Sequence, residues 1–159
     1  MARDGLIVDV RNNGGGSTAH EILGILQRRS FLVRQLGGFE QISETVYRGV
    51  GFDGPKALLI NEHSFSNAEI FAEGFRELKL GPIVGMPTAG GCIGTGGWTF
   101  IDGSSLRTPS MGAFALNGEN LEGNGRQPDI TIPFLPTDAA AGRDPQLETA
   151  VRTLMPMIR

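Results

Sequence analysis

The order of apolar segments predicts an α/β domain with a largely parallel, strongly twisted sheet. Short β-branched runs alternate with amphipathic helical stretches through the first half of the chain, and each strand leads into a polar or glycine-rich turn before its helix. The length agrees. A chain of 159 residues fits one domain, and such a domain buries roughly 70% of its unfolded surface without a disulfide or metal.

Leu6-Ile7-Val8-Asp9-Val10 reads as a buried strand. It begins almost at the first residue, which suggests an architecture that continues before it. Arg11-Asn12-Asn13 and three glycines follow, then Thr18-Ala19-His20-Glu21 with capping-box spacing and a helix to about Arg29. Ala19, Ile22, Leu23 and Leu26 fall on one face of that helix. Phe31-Leu32-Val33 and Thr45-Val46-Tyr47-Arg48 have strand character, with a turn at Gly37-Gly38. Ala57-Leu58-Leu59-Ile60 is a core strand that ends in the polar elbow Asn61-Glu62-His63-Ser64-Phe65-Ser66. Ser66-Asn67-Ala68-Glu69 repeats the capping-box spacing, and Ala68, Phe71, Phe75 and Leu78 mark the buried face of a helix ending near Leu80-Gly81-Pro82.

Ile83-Val84-Gly85 is a further strand. The glycine-rich stretch 90–97 leads into Trp98-Thr99-Phe100-Ile101, with Asp102-Gly103 as a hairpin turn into Ser105-Leu106-Arg107-Thr108. Phe114-Ala115-Leu116 and Ile130-Thr131-Ile132 are strand candidates. Asp144-Pro145-Gln146 opens a last helix, with proline in the first turn, that continues through Ala150, Val151 and Leu154. No internal repeat and no interdomain linker interrupts residues 1–159.

Composition narrows the function classes. The net charge is -3 and the 14 Lys and Arg are scattered, which favours neither a nucleic-acid groove nor an anionic membrane. Cys92 is the single cysteine, so neither an internal disulfide nor a multi-cysteine zinc site can form; a small buried residue is its default reading. No apolar run approaches the ~20 residues of a membrane span, and Met1-Ala2-Arg3-Asp4 is not a secretory leader, so the chain as given reads as soluble. The 24 glycines are about twice the ~7% average usage. They cluster where backbone must turn tightly or approach a neighbour.

Ser66 is a candidate nucleophile, because it sits where a strand passes through an elbow into a helix and the next N–H can face developing negative charge. The same position suits a plain helix cap. The N–H groups of Gly14 and Gly15 can form the other half of an oxyanion hole, or the glycines can simply make a tight turn; neither G-x-G-x-x-G nor a P-loop is present. His20 and His63 are the only imidazoles available as bases, although the default for each is an exposed surface residue.

Three segments carry a resemblance: Leu6-Ile7-Val8-Asp9-Val10-Arg11-Asn12-Asn13-Gly14-Gly15-Gly16, Ser64-Phe65-Ser66-Asn67-Ala68-Glu69-Ile70-Phe71, and Val84-Gly85-Met86-Pro87-Thr88-Ala89-Gly90-Gly91. They resemble the C-terminal processing peptidase (tail-specific protease) family. Leu121-Glu122-Gly123-Asn124-Gly125-Arg126-Gln127-Pro128-Asp129 and Gly142-Arg143-Asp144-Pro145-Gln146 resemble its tricorn protease-like branch. The resemblance implies a crotonase/Clp protease-like spiral of β-strands with flanking helices, and hydrolysis of a peptide or unfolded polypeptide through an acyl-enzyme. It implies no cofactor or metal. By motif position Ser66 is the nucleophile, the N–H of Asn67 one oxyanion donor, and Gly14 or Gly15 the other. Gly91 stands where the processing-peptidase branch carries its lysine base, which argues against a serine-lysine dyad.

The tricorn branch pairs the nucleophile with a histidine, a second serine and a glutamate, and Glu122 matches that glutamate. Neither His20 nor His63 matches the histidine, which in that branch lies in a helical subdomain before the first motif. The resemblance therefore implies a catalytic subdomain without its preceding helical and peptide-binding domains, with an incomplete tetrad, that associates with a missing domain or with copies of itself. Two other readings stand beside it. One is a peptide-binding or assembly module of the same fold; the other is a weak esterase that uses His20 or His63 as base.

Overall fold

The computed structural model describes residues 4–32, 37–38 and 50–158. Four strands form one parallel sheet in the order β1 (Leu6–Asp9), β2 (Lys56–Ile60), β3 (Ile83–Gly85), β6 (Ile130–Thr131). Helix α1 (Ala19–Leu26) connects β1 to β2, and α2 (Asn67–Glu77) connects β2 to β3. A two-stranded antiparallel ribbon, β4 (Ile93–Thr99) with β5 (Ser105–Gly112), stands apart from the sheet. The short α3 (Pro136–Ala140), α4 (Pro145–Leu154) and a 3-10 turn (Met155–Met157) close the chain.

The core follows from the two-residue period of a strand. Leu58 and Ile60 of β2 point to one face, where they meet Leu23 and Leu26 of α1 and Phe71 and Phe75 of α2. Ala57 and Leu59 point to the other, against Ala150 and Leu154 of α4. All five β2 residues are therefore buried, which is what a near-continuous apolar run in a covered parallel strand requires. Gly85 is a necessary glycine: its φ is +135°, and a Cβ there would lie 1.9 Å from the carbonyl oxygen of Ile60.

Several boundaries differ from the sequence expectation for local reasons. β1 is half-buried rather than fully buried, because among the described residues it is paired on one side only. α1 stops at Leu26, where Gln27-Arg28-Arg29 supplies no further apolar face. α2 stops at Glu77 in a Schellman motif: Lys79 takes the left-handed conformation at φ 51°, Leu80 N–H reaches the Phe75 carbonyl at 3.1 Å and Lys79 N–H reaches Arg76 at 2.9 Å. Leu78 is left 39% exposed. Gly94, Gly96 and Gly97 lie inside β4 rather than in a loop, with a register shift at Gly94/Thr95. Phe114 makes only an isolated bridge to Asn120, and Phe31 and Leu32 lie in irregular backbone. Val33 and the Thr45–Arg48 strand fall outside the described residues. No helix among the described residues is long and apolar enough to cross a membrane.

Arg11 ties the end of β1 to α4. Its guanidinium bridges Asp9 at 2.7 Å and Asp144 at 2.8 Å, and bonds Gln146 Oε1 at 3.0 Å. Asp144 also caps α4 by accepting from Leu147 N–H at 2.9 Å.

Two stability outcomes are expected. Phe75→Ala, which empties a fully buried site, lowers unfolding free energy by about 3–5 kcal/mol, read as a lower urea midpoint at unchanged slope. Asp144→Ala costs about 1–2 kcal/mol at neutral pH through the lost cap and ion pair. The hydrogen bond from Arg11 holds the Asp144 carboxyl below its usual range, so its stabilisation is complete above the unfolded value and fades on acidification. The difference between wild type and Asp144→Ala should thus shrink as pH drops below about 4; urea titrations across pH check this.

Candidate active site

The loops after β1, β2 and β3 leave the carboxyl ends of neighbouring parallel strands, so they converge at one edge of the sheet, where open α/β sheets place their sites. Three small polar residues lock the first two together. Ser64, fully buried, donates its hydroxyl to the Val10 carbonyl at 2.8 Å and accepts from Asn61 N–H at 3.1 Å. Asn61 and Asn12 exchange two bonds: Asn12 N–H to Asn61 Oδ1 at 2.9 Å and Asn61 Nδ2 to Asn12 Oδ1 at 3.0 Å. Phe65 N–H reaches the Asn13 carbonyl at 2.9 Å.

Ser66 follows at the tip of this clasp with φ 56° and ψ -116°. A non-glycine residue in such a conformation costs on the order of 1–3 kcal/mol. Its backbone is held on both sides: the N–H donates to Glu69 Oε1 at 3.1 Å, and the carbonyl accepts from Glu69 N–H at 2.9 Å and Cys92 Sγ at 3.7 Å. The hydroxyl does not cap α2. An N-cap serine ordinarily sits in the β region, and the positive φ turns the side chain off the helix axis. Only the carboxylate half of the expected capping box is formed, and the Ser66 Oγ has no hydrogen bond among the described residues.

The glycine loop packs directly against this serine. A Cβ on Gly15 would fall 2.8 Å from Ser66 Cβ, 3.1 Å from its Oγ and 3.2 Å from Asn67 N, at a φ of +108°. No other residue fits. Gly15 N–H is donated to Asn13 Oδ1 at 2.8 Å, whereas the N–H groups of Gly14 and Asn67 have no hydrogen-bond partner among the described residues. Asn67 Oδ1 accepts from Ala19 N–H at 2.9 Å and so caps α1 in place of Thr18, whose side chain makes no cap bond. The two helix N-termini are thereby fastened to each other.

Glu69 was expected only as a cap partner. It is fully buried, and its carboxylate accepts four bonds: Ser66 N–H and Gly91 N–H at 3.1 and 2.8 Å on Oε1, Thr88 Oγ1 and Gly90 N–H at 2.6 and 2.7 Å on Oε2. The segment carrying Glu122 is docked on the same loop, with Gly123 N–H on the Gly90 carbonyl at 2.8 Å and Arg126 N–H on Thr88 Oγ1 at 2.6 Å. Glu122 is half-buried, and its Oε2 is a buried oxygen without a hydrogen-bond partner. The thiol of Cys92 is pushed up to about 11 by burial first and then by the charges of Glu69 and Glu122.

The structure thus gathers Ser66, Asn67, Gly14, Gly15 and the Glu122 segment around one strand-to-helix turn. It does not bring in the histidines. His20 is 82% exposed beside Glu21 at 3.2 Å, His63 is exposed, and neither hydrogen-bonds Ser66. Among the described residues no cluster of His, Cys, Asp and Glu is arranged to hold a metal. A cleft of about 710 Å³ lies at the opposite ends of the strands, between Leu26–Ser30 and Lys79–Leu80, and contains none of the candidate residues. In the folded protein Cys92 is expected to resist iodoacetamide at pH 8 and to react once urea is added, which mass spectrometry reads directly.

Comparison with known proteins identifies the family. Residues 1–132 match the model of peptidase family S41. The chain is 37% identical over 157 residues to tricorn protease homolog 1 of Streptomyces coelicolor, covering 95% of this chain and 14% of that protein. It is 34% identical over 158 residues to the tricorn protease of Thermoplasma volcanium, covering 97% and 15%. The crystal structure of the tricorn protease superposes with a TM-score of 0.86 at 31% identity, covering 95% of this chain and 15% of that one. The photosystem II D1 C-terminal processing protease superposes with a TM-score of 0.63 at 26% identity, covering 95% and 39%. The chain therefore spans about a seventh of the tricorn relatives it matches. On the match of the family model to most of its length, this chain belongs to peptidase family S41.

Proposed function

We propose that this chain is the nucleophile-bearing part of a tricorn-like serine peptidase that cleaves peptide bonds of peptides or unfolded polypeptides through a Ser66 acyl-enzyme. The observation that carries the reading is the Ser66 conformation. Its hydroxyl is released from the capping role, held at φ 56° at the start of α2, and backed by a glycine with no room for a side chain. A serine spent only on a helix cap needs none of this.

In the proposed reaction Ser66 Oγ attacks the scissile carbonyl carbon and its proton passes to a base. The carbonyl oxygen becomes an oxyanion facing the N–H of Asn67, with Gly14 or Gly15 as the second donor. Gly14 is the better placed of the two, since its N–H is unengaged while that of Gly15 is donated to Asn13. Collapse expels the amine, and water then releases the acyl group. The unpartnered Glu122 oxygen supports a role in orienting the base through a further hydroxyl. The base itself is a histidine contributed by a preceding domain or a second subunit, because His20 and His63 are both exposed and unconnected to Ser66. That exposure also favours a second reading, a peptide-binding or assembly module that keeps the elbow without turnover.

Labelling with a fluorophosphonate probe separates the two. Ser66-dependent labelling is expected for the peptidase; intact protein that never labels, with or without the preceding domains, favours the binding module. Ser66→Ala should abolish labelling and hydrolysis, and Glu122→Gln should lower hydrolysis about 10-fold or more. Full activity in Ser66→Ala would sink the assignment. Replacement of both His20 and His63 by Ala should leave the rate unchanged, and a loss of activity there would make one of them the base.

A further inference from the structure

Glu69 has a place in this site that the nucleophile and the oxyanion donors do not explain. Its two carboxylate oxygens each accept two bonds, so one buried group addresses two segments of the site at once. One bond goes to the strained elbow, at Ser66 N–H. The other three go to the loop after β3, at Thr88 Oγ1, Gly90 N–H and Gly91 N–H. That loop in turn carries the Glu122 segment. Thr88 Oγ1 donates to Glu69 and accepts from Arg126 N–H, Thr88 N–H reaches the Arg126 carbonyl at 3.0 Å, and the Gly90 carbonyl accepts from Gly123 N–H. A Cβ on Gly125 would lie 2.5 Å from the Thr88 carbonyl oxygen, so the two segments touch through backbone.

We infer that Glu69 is a positioning residue for the reaction: its carboxylate, through Thr88 and Gly90, fixes the distance between the Ser66 elbow and the segment that presents Glu122. The inference rests on the peptidase reading for its catalytic meaning, while the mechanical coupling stands on the hydrogen bonds alone. A carboxylate suits the task because it only accepts, and every group aimed at it donates. Glutamine in its place would turn an NH2 toward two donors and break the relay on one side. The Phe65 ring covers the Gly91 end, since a Cβ on Gly91 would fall 1.8 Å from Phe65 Cε2.

Thr88 provides the test, because its hydroxyl is the link between Glu69 and the Glu122 side and its removal leaves every charge in place. Amide hydrogen exchange is followed in wild type, Thr88→Val, Thr88→Ser and Glu69→Gln. Ser66, Gly90, Gly91 and Gly123 are the reporters, and Leu58 and Leu59 of β2 are the reference. In Thr88→Val, exchange at Ser66 and at Gly123 should both accelerate about 10-fold or more while β2 stays protected. Thr88→Ser, which keeps the hydroxyl, should return both to wild type. The rate of fluorophosphonate labelling at Ser66 should fall and recover in the same order. Acceleration confined to Gly90 and Gly123, with Ser66 unchanged, would overturn the coupling. Equal acceleration across β2 would overturn it too, by assigning Thr88 to global stability. Should wild type never label, with or without the preceding domains, the peptidase reading fails, and the exchange pattern still decides the coupling by itself. Glu69→Gln, if it folds, is expected to resemble Thr88→Val with faster exchange at Gly91 as well.

Discussion

A carboxylate withdrawn completely from water is costly unless each of its lone pairs finds a donor. Glu69 meets that condition with four, three of them backbone N–H groups. The consequence reaches beyond one residue. Those amides stay aligned only while the elbow, the start of α2 and the loop after β3 hold one arrangement, so the desolvated charge makes that arrangement the only inexpensive one. Ser64 and the Asn12–Asn61 pair do comparable work nearer the strands, using neutral groups.

The sheet prepares this arrangement before any side chain acts. With β1, β2 and β3 adjacent and parallel, their carboxyl ends deliver three loops to one place. The cores on the two faces then keep the strands in register: α1 and α2 press on one side, and α4 on the other. Arg11 extends the control to the far end of the chain by joining the last residues of the β1 segment to the cap of α4. The ribbon β4–β5 takes no part in either core. It leaves Trp98 69% and Met111 71% exposed, and a two-stranded ribbon is marginal in water by itself.

What the sequence made legible follows from how local each signal is. The run Ala57–Ile60 and the helical spacing of Ala68, Phe71 and Phe75 announced β2 and α2, because period and burial are decided within a few residues. The elbow serine, its glycine loop and Glu122 were legible as motifs. Ile22 was not: it continues the apolar face of α1 yet is 41% exposed, since it borders the space beside Gly15 and Asn67 rather than the core. The strand character of Gly94, Gly96 and Gly97 was hidden too, because pairing with β5, not propensity, sets it. Glu69 and the Asn67 side chain were hidden for the same kind of reason. Their partners lie 19 to 22 and 48 residues away in sequence, and the spacing Ser66-x-x-Glu69 is identical whether the hydroxyl caps or is turned away.

The backbone of Ser66 carries a consequence for how this molecule is maintained. At φ 56° a glycine would be more comfortable, and the fold would gain from it. Drift toward stability alone would therefore erode the side chain at this position. A side chain carried where the backbone prefers none is held at the expense of folding. The turn that frees this hydroxyl from capping α2 is thus also a weak point of the domain.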